Sequence, residues 1–180
     1  MFVSSRSPDG AIATFVGAAG VAQNCSLSAV NGTIARFDTW QVSGSGQLTI
    51  DADANADGFG LLTLAGANAA SSALSVAAGA SVSSLALLGG DVDVSAQVTA
   101  RAADVWVAPS AANAQLFVGG AAPGGFRLSA SELNKIATFG TLQLGSGRTF
   151  SVIVDGVAQT SAIGELKLSA TANASSSVRF

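Results

Sequence analysis

The sequence contains no histidine and no tyrosine, and Cys25 is its only cysteine among 180 residues. The lack of histidine excludes Ser-His-Asp triads, histidine metal ligands and imidazole acid–base catalysis. A single cysteine excludes an internal disulfide bond. An exported protein without disulfides is suited to crossing an outer membrane unfolded, although the cysteine count alone does not assign a compartment.

Charge is also scarce, at 11% of the residues, with 8 Lys plus Arg against 11 Asp plus Glu and a net charge of −3. No polybasic surface is available, so we expect neither nucleic acid nor anionic lipid as a partner. Long hydrophobic runs are missing too. The uncharged stretch 58–90 is interrupted by Asn68, serine pairs and glycines, and its apolar runs are shorter than the roughly 20 residues that span a bilayer. We therefore expect no membrane insertion.

The chain ends suggest a piece of a longer protein. The apolar stretch 11–22 is broken by Gly17 and Gly20 and preceded only by Arg6, which fits a signal peptide poorly. Residues 177–180 end the chain as though inside a strand. We expect one domain over 1–180, irregular in 1–46 and regular in 47–180, that is a fragment of a repeat protein.

Short runs with apolar residues at every second position recur about every twelve residues from Gln47 onward. Small or polar residues separate them, and runs this short between turn residues are typical of strands rather than helices. The predicted strands are 47–50, 61–64, 73–76, 84–88, 91–94, 104–107, 115–118, 126–129, 141–144, 151–154 and 165–168. The glycines of Gly44–Gly46 predict a turn before the first of them.

Two architectures fit many evenly spaced short strands, namely an antiparallel sandwich and a parallel solenoid. Hairpin dipeptides between adjacent runs are few, linkers are rich in Ala, Gly and Ser, and Leu, Val and Ile recur at equivalent inward positions. These features favour the solenoid. The predicted fold class is all-β, a right-handed parallel β-helix of short stacked strands.

The segment 126–156 combines a predicted turn of helix with predicted strands on both sides of it. Ser129 and Glu132 have the spacing of a capping box, which predicts one turn of helix. Gly140 is predicted to end that turn, so that 132–140 forms a corner before the strand at 141–144.

This segment resembles a unit of the filamentous haemagglutinin-like family of large bacterial exoproteins. The resemblance rests on Leu-Ser, Glu-Leu, an apolar residue three positions later, and Thr-Leu-x-Leu-Gly. These positions are Leu128, Ser129, Glu132, Leu133, Ile136, Thr141, Leu142, Leu144 and Gly145. The segment 47–66 is similar to turns of such proteins, in which an acidic, glycine-containing loop joins two strands.

The resemblance implies a right-handed parallel β-helix that is secreted through a partner outer-membrane pore (two-partner secretion) or carried as an autotransporter passenger. It implies a non-enzymatic adhesin, located at the bacterial cell surface or secreted, with no cofactor. Its partner would be a glycan or protein on a host or neighbouring cell, together with the secretion pore if the chain is part of a longer one. The family's N-terminal secretion domain and the passenger's C-terminal barrel are both missing from this sequence.

An acidic stretch at 51–58 has part of the pattern of a calcium loop. Asp53, Asn55 and Asp57 alternate before a glycine, and Asp51 precedes them, so hard oxygen ligands are available. The twelfth position of such a loop, usually Glu, is Leu64. The alternative is a solvated turn shaped by Asp and Asn side chains, and the sequence predicts no metal site.

A second set of residues indicates the alternative function of a carbohydrate-active β-helix of the polysaccharide lyase or hydrolase type. Asp91, Asp93, Arg101 and Asp104 would supply the acid, base and cationic groups. Asp is also an ordinary outward residue between inward valines, and no catalytic residue is predicted. Trp106 and Phe117 alternate with other strand residues, which favours a core or inter-strand position over a sugar-stacking role.

Overall fold

The computed structural model describes residues 15–21, 25–28, 34–35, 37–64, 72–76, 81–100, 104–120, 124–158, 161–170 and 177–179. Strands account for 61% of the described residues, and the helix content of these ranges is one turn, α1 (Ala130–Leu133). The predicted all-β class is therefore confirmed.

The described strands are numbered in chain order. They are β1 (Phe15–Val21), β2 (Cys25–Ser28), β3 (Ile34–Ala35), β4 (Phe37–Asp51), β5 (Leu61–Leu64), β6 (Ser72–Val76), β7 (Ser81–Gly89), β8 (Asp91–Val94), β9 (Gln97–Thr99), β10 (Asp104–Pro109), β11 (Gln115–Gly119), β12 (Phe126–Leu128), β13 (Ile136–Gly145), β14 (Ser151–Asp155), β15 (Ile163–Ser169) and β16 (Ser177–Arg179).

All the described strand pairs are parallel, and the strands form three sheets. The largest sheet has nine strands and follows the path β1-β4-β6-β9-β13-β10-β7, with β2 beside β4, β15 beside β13, and a further pairing of β4 with β7. The other two are β12-β11-β14-β16 and β3-β5-β8. Consecutive strands thus often belong to different sheets.

Two long strands, β4 and β13, each pair with two sets of neighbours. The first part of β4 pairs with β1 and β6, and its second part pairs with β2 and β7. The pairing of β4 with β7 shifts register between Gly46 and Gln47, close to the point where the two parts meet. Gly46 has φ 107°, a backbone conformation that favours glycine. The strand therefore continues through Gly44–Gly46, and the turn predicted there is wrong.

The same device occurs in β13, where the register with β15 shifts between Thr138 and Thr141. Helix α1 ends with Asn134 as its C-cap, and β13 begins at Ile136. The predicted corner at 132–140 is therefore too long, because Gly140 lies inside the strand. The capping box of Ser129 and Glu132 is confirmed, with both reciprocal hydrogen bonds present.

The inward side chains form rows across neighbouring strands. One row places Leu48, Leu85, Val105 and Leu142 in register, and each is at most 1% exposed. The row continues to Leu166 on β15, which is 48% exposed. Burial of each such side chain contributes roughly 1.5–3 kcal/mol, so these rows supply the main stabilising interaction of the sheets.

The predicted strand runs all fall within observed strands, except that Ser129 caps α1 instead of ending β12. The short strand β9 was not predicted, since Val98 is its only apolar residue. The predicted irregular part, 1–46, contains β1 to β3 and most of β4. No helix within the described part of the chain is long and apolar enough to cross a membrane.

The parallel register of β13 and β15 predicts which engineered cysteines form a disulfide bond. Thr141 is opposite Glu165 and Gln143 is opposite Lys167. In a Cys25→Ser background, we expect both Thr141→Cys/Glu165→Cys and Gln143→Cys/Lys167→Cys to cross-link on mild oxidation, as measured by mass spectrometry. An antiparallel arrangement would satisfy at most one of these pairs. The control pair Gln115→Cys/Gln143→Cys, on different sheets, should stay reduced.

Candidate functional site

The acidic turn at 51–58 follows β4 and is held by carboxylate-to-backbone hydrogen bonds. Asp53 is fully buried, and its two carboxylate oxygens accept hydrogen bonds from the N–H groups of Asp57 (3.1 Å) and Gly58 (2.9 Å). Asp51 Oδ1 accepts from Asp53 N (3.0 Å) and Ser110 Oγ (2.6 Å). These bonds fix the path of the turn against β10.

The remaining polar groups of the turn are also engaged. Asp57 accepts from the N–H of Phe59 (2.9 Å) and from Asn55 Nδ2 (2.7 Å). The Phe59 N–H is the main cause that lowers the pKa of Asp57, whereas burial raises the pKa of Asp53. Ala56 adopts a left-handed conformation with φ 57° at the tip.

The candidate calcium residues Asp51, Asp53, Asn55 and Asp57 are thus brought together in one turn, but both carboxylate oxygens of Asp53 and Asp57 and Oδ1 of Asp51 already accept hydrogen bonds. Within the described residues, no three or more Asp, Glu or Cys side chains are grouped so that they could hold a metal ion. The geometry is that of a turn shaped by Asx side chains.

A polar groove of about 500 Å³ lies between β8, β12 and α1. Its lining residues are Leu61, Asp91, Val92, Asp93, Val94, Ser95, Arg127, Ser129, Ser131, Glu132 and Lys135. Asp91 and Asp93 face this groove because the alternate residues of β8, Val92 and Val94, are buried.

Asp91 connects two strands at one side of the groove. Its Oδ1 accepts hydrogen bonds from the N–H groups of Val92 (2.9 Å) and Arg127 (2.9 Å). Burial is the largest influence and raises the pKa of Asp91; the charge of Glu132 acts in the same direction, and the two N–H groups oppose it. Asp91 therefore carries a charge that is partly desolvated and held by backbone donors.

Glu132 and Lys135 connect α1 to β8. Glu132 accepts from Ser129 N (2.8 Å) within the capping box and from Val94 N (3.1 Å) on the strand. Lys135 Nζ donates to the carbonyls of Val94 (3.1 Å) and Ser95 (3.0 Å). These bonds tie α1 to β8 across the groove. The third carboxylate, Asp93, accepts from Ser95 Oγ (2.8 Å).

The three described residues of the predicted carbohydrate-active set do not converge. Asp91 and Asp93 share the groove, but Asp104 lies on β10 in the nine-stranded sheet, where its Oδ1 accepts from Thr141 N (2.7 Å). Arg101 lies outside the described residues. Strand order explains the separation, since β8 and β10 belong to different sheets.

Sequence reasoning missed the groove contributions of Arg127 and Lys135. Both are presented by segments more than thirty residues from β8, and no local pattern indicates their proximity. Of the two placements predicted for Trp106 and Phe117, core or between strands, the second fits. Each is half-buried, has fully or almost fully buried neighbours along its own strand, and lies between paired residues of two adjacent strands. Both therefore point outward, and Trp106 Nε1 donates to the Gly145 carbonyl (2.8 Å).

The acidic turn predicts a stability loss that does not depend on calcium. Asp53→Ala leaves the N–H groups of Asp57 and Gly58 without their acceptor, which costs about 1–3 kcal/mol of unfolding free energy. Urea denaturation should give the same loss in calcium and in chelator. A calcium-dependent rise in the melting temperature of the unmodified chain, absent from the variant, would instead demonstrate a cation site.

The raised pKa of Asp91 predicts a pH-dependent stability difference between the unmodified chain and Asp91→Asn. Asp91→Asn keeps an Oδ1 acceptor for Val92 and Arg127 and removes the desolvated charge, so it should be at least as stable as the unmodified chain at pH 7. Asp91→Ala should be less stable than Asp91→Asn by about 1 kcal/mol at every pH, because neither variant titrates at this position and only the Ala variant lacks the acceptor.

The sign follows from the raised pKa of Asp91. Below a pH of 3.8, the ordinary pKa of Asp, the carboxyl is protonated in both the folded and the unfolded states. As pH rises from there through the raised pKa of the folded state, the unfolded chain ionises more readily, so the stability of the fold decreases. The unmodified chain should therefore lose stability relative to Asp91→Asn over that window and no further above it. Denaturation curves between pH 3 and 7 measure this, and a widening advantage for the unmodified chain would contradict it.

Comparison with known proteins does not assign the chain to a family. No protein-family model matches the sequence, no curated protein is similar to it, and no solved structure matches it.

Proposed function

We propose that this chain is a non-enzymatic structural and binding segment of a secreted or cell-surface bacterial adhesin, folded as a right-handed parallel β-helix. The observation that carries the proposal is the parallel register of buried rows across strands that are distant in sequence. Val105 pairs with Leu85, 20 residues earlier, and with Leu142, 37 residues later. Connections of this length are needed between parallel neighbours.

In a β-helix, successive strands of the chain lie on different sides of one coil, and each strand pairs with the equivalent strands of the coils before and after it. For example, β6, β7 and β8 lie beside β9 and β10 of the next set and beside parts of β4 and β5 of the preceding one. A right-handed path is favoured because parallel crossover connections are right-handed in about 98% of cases. The resemblance of 126–156 to a haemagglutinin-like unit supports the same architecture.

The binding role is supported by the kind of surface that this scaffold presents. Apolar side chains supply the inward rows, and outward positions such as Thr49, Trp106, Gln143 and Lys167 form a row of mixed chemistry. Rigid scaffolds that carry variable outward side chains and loops are well suited to recognition. The partner would be a glycan or protein on a host or neighbouring cell.

The carbohydrate-active alternative has one observation in its favour, since Asp91, Asp93 and Glu132 line the same groove. Asp91 and Glu132 each accept hydrogen bonds from two backbone N–H groups, which gives them a structural role in joining neighbouring segments. Asp104 is on another sheet. The geometry therefore favours binding over turnover.

The adhesin proposal predicts saturable binding of the purified chain to cell surfaces. Fluorescent beads coated with the chain should bind cultured epithelial cells or bacteria more than albumin-coated beads do, and excess free chain should compete. Leu85→Asp, which buries a charge within an apolar row, is the unfolded control. Equal binding by the chain and by albumin on every cell type would overturn the proposal.

A further inference from the structure

A second, smaller pocket lies on the outer face of the nine-stranded sheet, away from the polar groove. It encloses about 230 Å³. Its floor is formed by outward residues of β7 and β10, one wall by the acidic turn after β4, and the other wall by residues after β13. The lining residues are Asp51, Asp53, Ala54, Ala56, Leu88, Trp106, Ala108, Pro109, Ser110, Ser146, Gly147 and Arg148.

The width of the pocket follows from strand order. Strands β4, β7, β10 and β13 are successive neighbours. At 4.7–4.9 Å per strand spacing, the backbones that carry the two walls are about 14 Å apart. The volume is below the roughly 300–1,000 Å³ of pockets for drug-sized ligands. The space therefore suits a single small ring.

Trp106 gives the floor an aromatic surface. Its indole N–H donates to the Gly145 carbonyl (2.8 Å), which fixes the ring, and the partly exposed side chain lines the pocket. Leu88 lies on the same outward side of the sheet and is partly exposed in the pocket, whereas its neighbour Ala108 is fully buried. A ligand that contacts this floor needs an apolar face.

The walls carry opposite polar groups. Asp51 uses Oδ1 for its bonds to Asp53 and Ser110, and no described residue donates to its Oδ2. Arg148 is exposed, and its guanidinium has no hydrogen bond or ion pair with any described residue. Its backbone is held at both ends, since its N–H donates to Ser146 Oγ (3.1 Å) and its carbonyl accepts from Asn113 N (2.8 Å).

We propose that this pocket binds one sugar unit of a glycan, with the C–H face of the ring on Trp106. Hydroxyl groups would donate to Asp51 and accept from Arg148, because a ligand between these walls must be both donor and acceptor. This inference rests on the proposed binding function and names the ligand class of that surface.

The charged groups of the pocket favour uncharged ligands over anionic ones. Asp51 and Asp53 contribute two carboxyl groups and Arg148 one guanidinium. A phosphate or a nucleic acid backbone would face this acidic wall with a single cation to pair, which makes it a poor ligand. An uncharged hexose avoids that repulsion and can still use both walls. The structure thus assigns the pocket to neutral saccharides.

The test starts with an oligosaccharide array that carries neutral and acidic glycans, followed by saturation-transfer NMR and calorimetry with free hexoses and the glycans identified. We expect binding of neutral saccharides at a Kd of about 1 mM for a single unit. Trp106→Ala should weaken binding roughly tenfold, and Arg148→Ala severalfold. Gln115→Ala removes an exposed polar side chain outside both the pocket and the polar groove and should leave saccharide binding unchanged.

Thermal melts establish that each variant is folded. If Trp106→Ala unfolds, Trp106→Phe and Arg148→Ala still test the pocket, since Arg148 makes no side-chain contact to lose among the described residues. The absence of saccharide binding, or binding that is unchanged in the folded Trp106 and Arg148 variants, would overturn the inference. Preference for acidic glycans, phosphate or free amino acids would overturn the assigned ligand class. The bead assay distinguishes this inference from the adhesin proposal. If the variants bind cells as well as the unmodified chain does, the pocket is not the binding site, and the adhesin proposal stands.

Discussion

The structure depends on the alignment of like apolar side chains across neighbouring parallel strands. Leucine and valine at equivalent positions leave water together, and no single strand could bury its inward residues alone. Because side chains alternate between faces, a shift of one residue would move a whole row outward. The rows therefore define the register, and the register in turn decides which outward residues and loops are neighbours. Trp106 lies between Ala86 and Gln143 for this reason.

The strands could be predicted from sequence because their signal is local. Apolar residues at every second position, bounded by small residues, occur within four or five residues of one another. The two errors in the predicted turns arise because a glycine can either end a strand or lie inside one. Gly46 and Gly140 both interrupt the apolar pattern, which favours a turn, yet each lies near a register shift that lets one strand pair with two sets of neighbours. Whether such a glycine forms a turn or continues the strand depends on which strands pair with it, and the local sequence does not identify those partners.

The sites were less predictable than the strands, since they are made by pairs far apart in the chain. The capping box of Ser129 and Glu132 is a local pattern and was correct, but the bond from Val94 to Glu132 joins residues 38 apart. The proximity of Asp104 to Asp91 along the chain was misleading, because the two strands belong to different sheets. The acidic turn has the composition of a calcium loop, but its carboxylates accept hydrogen bonds from backbone N–H groups two to five residues away, which matches the alternative of a turn shaped by Asp and Asn side chains.

Parallel pairing has a consequence for how such a surface changes during evolution. In a parallel sheet every strand runs in the same direction, so the segments that follow neighbouring strands emerge at one edge. The turn after β4 and the residues after β13 are gathered there, although they are separated by almost a hundred residues in sequence. Substitutions or insertions in these connections leave the buried rows unchanged while they remodel a common rim. Recognition can therefore diversify by exchange of loops on a conserved frame, at little cost to folding.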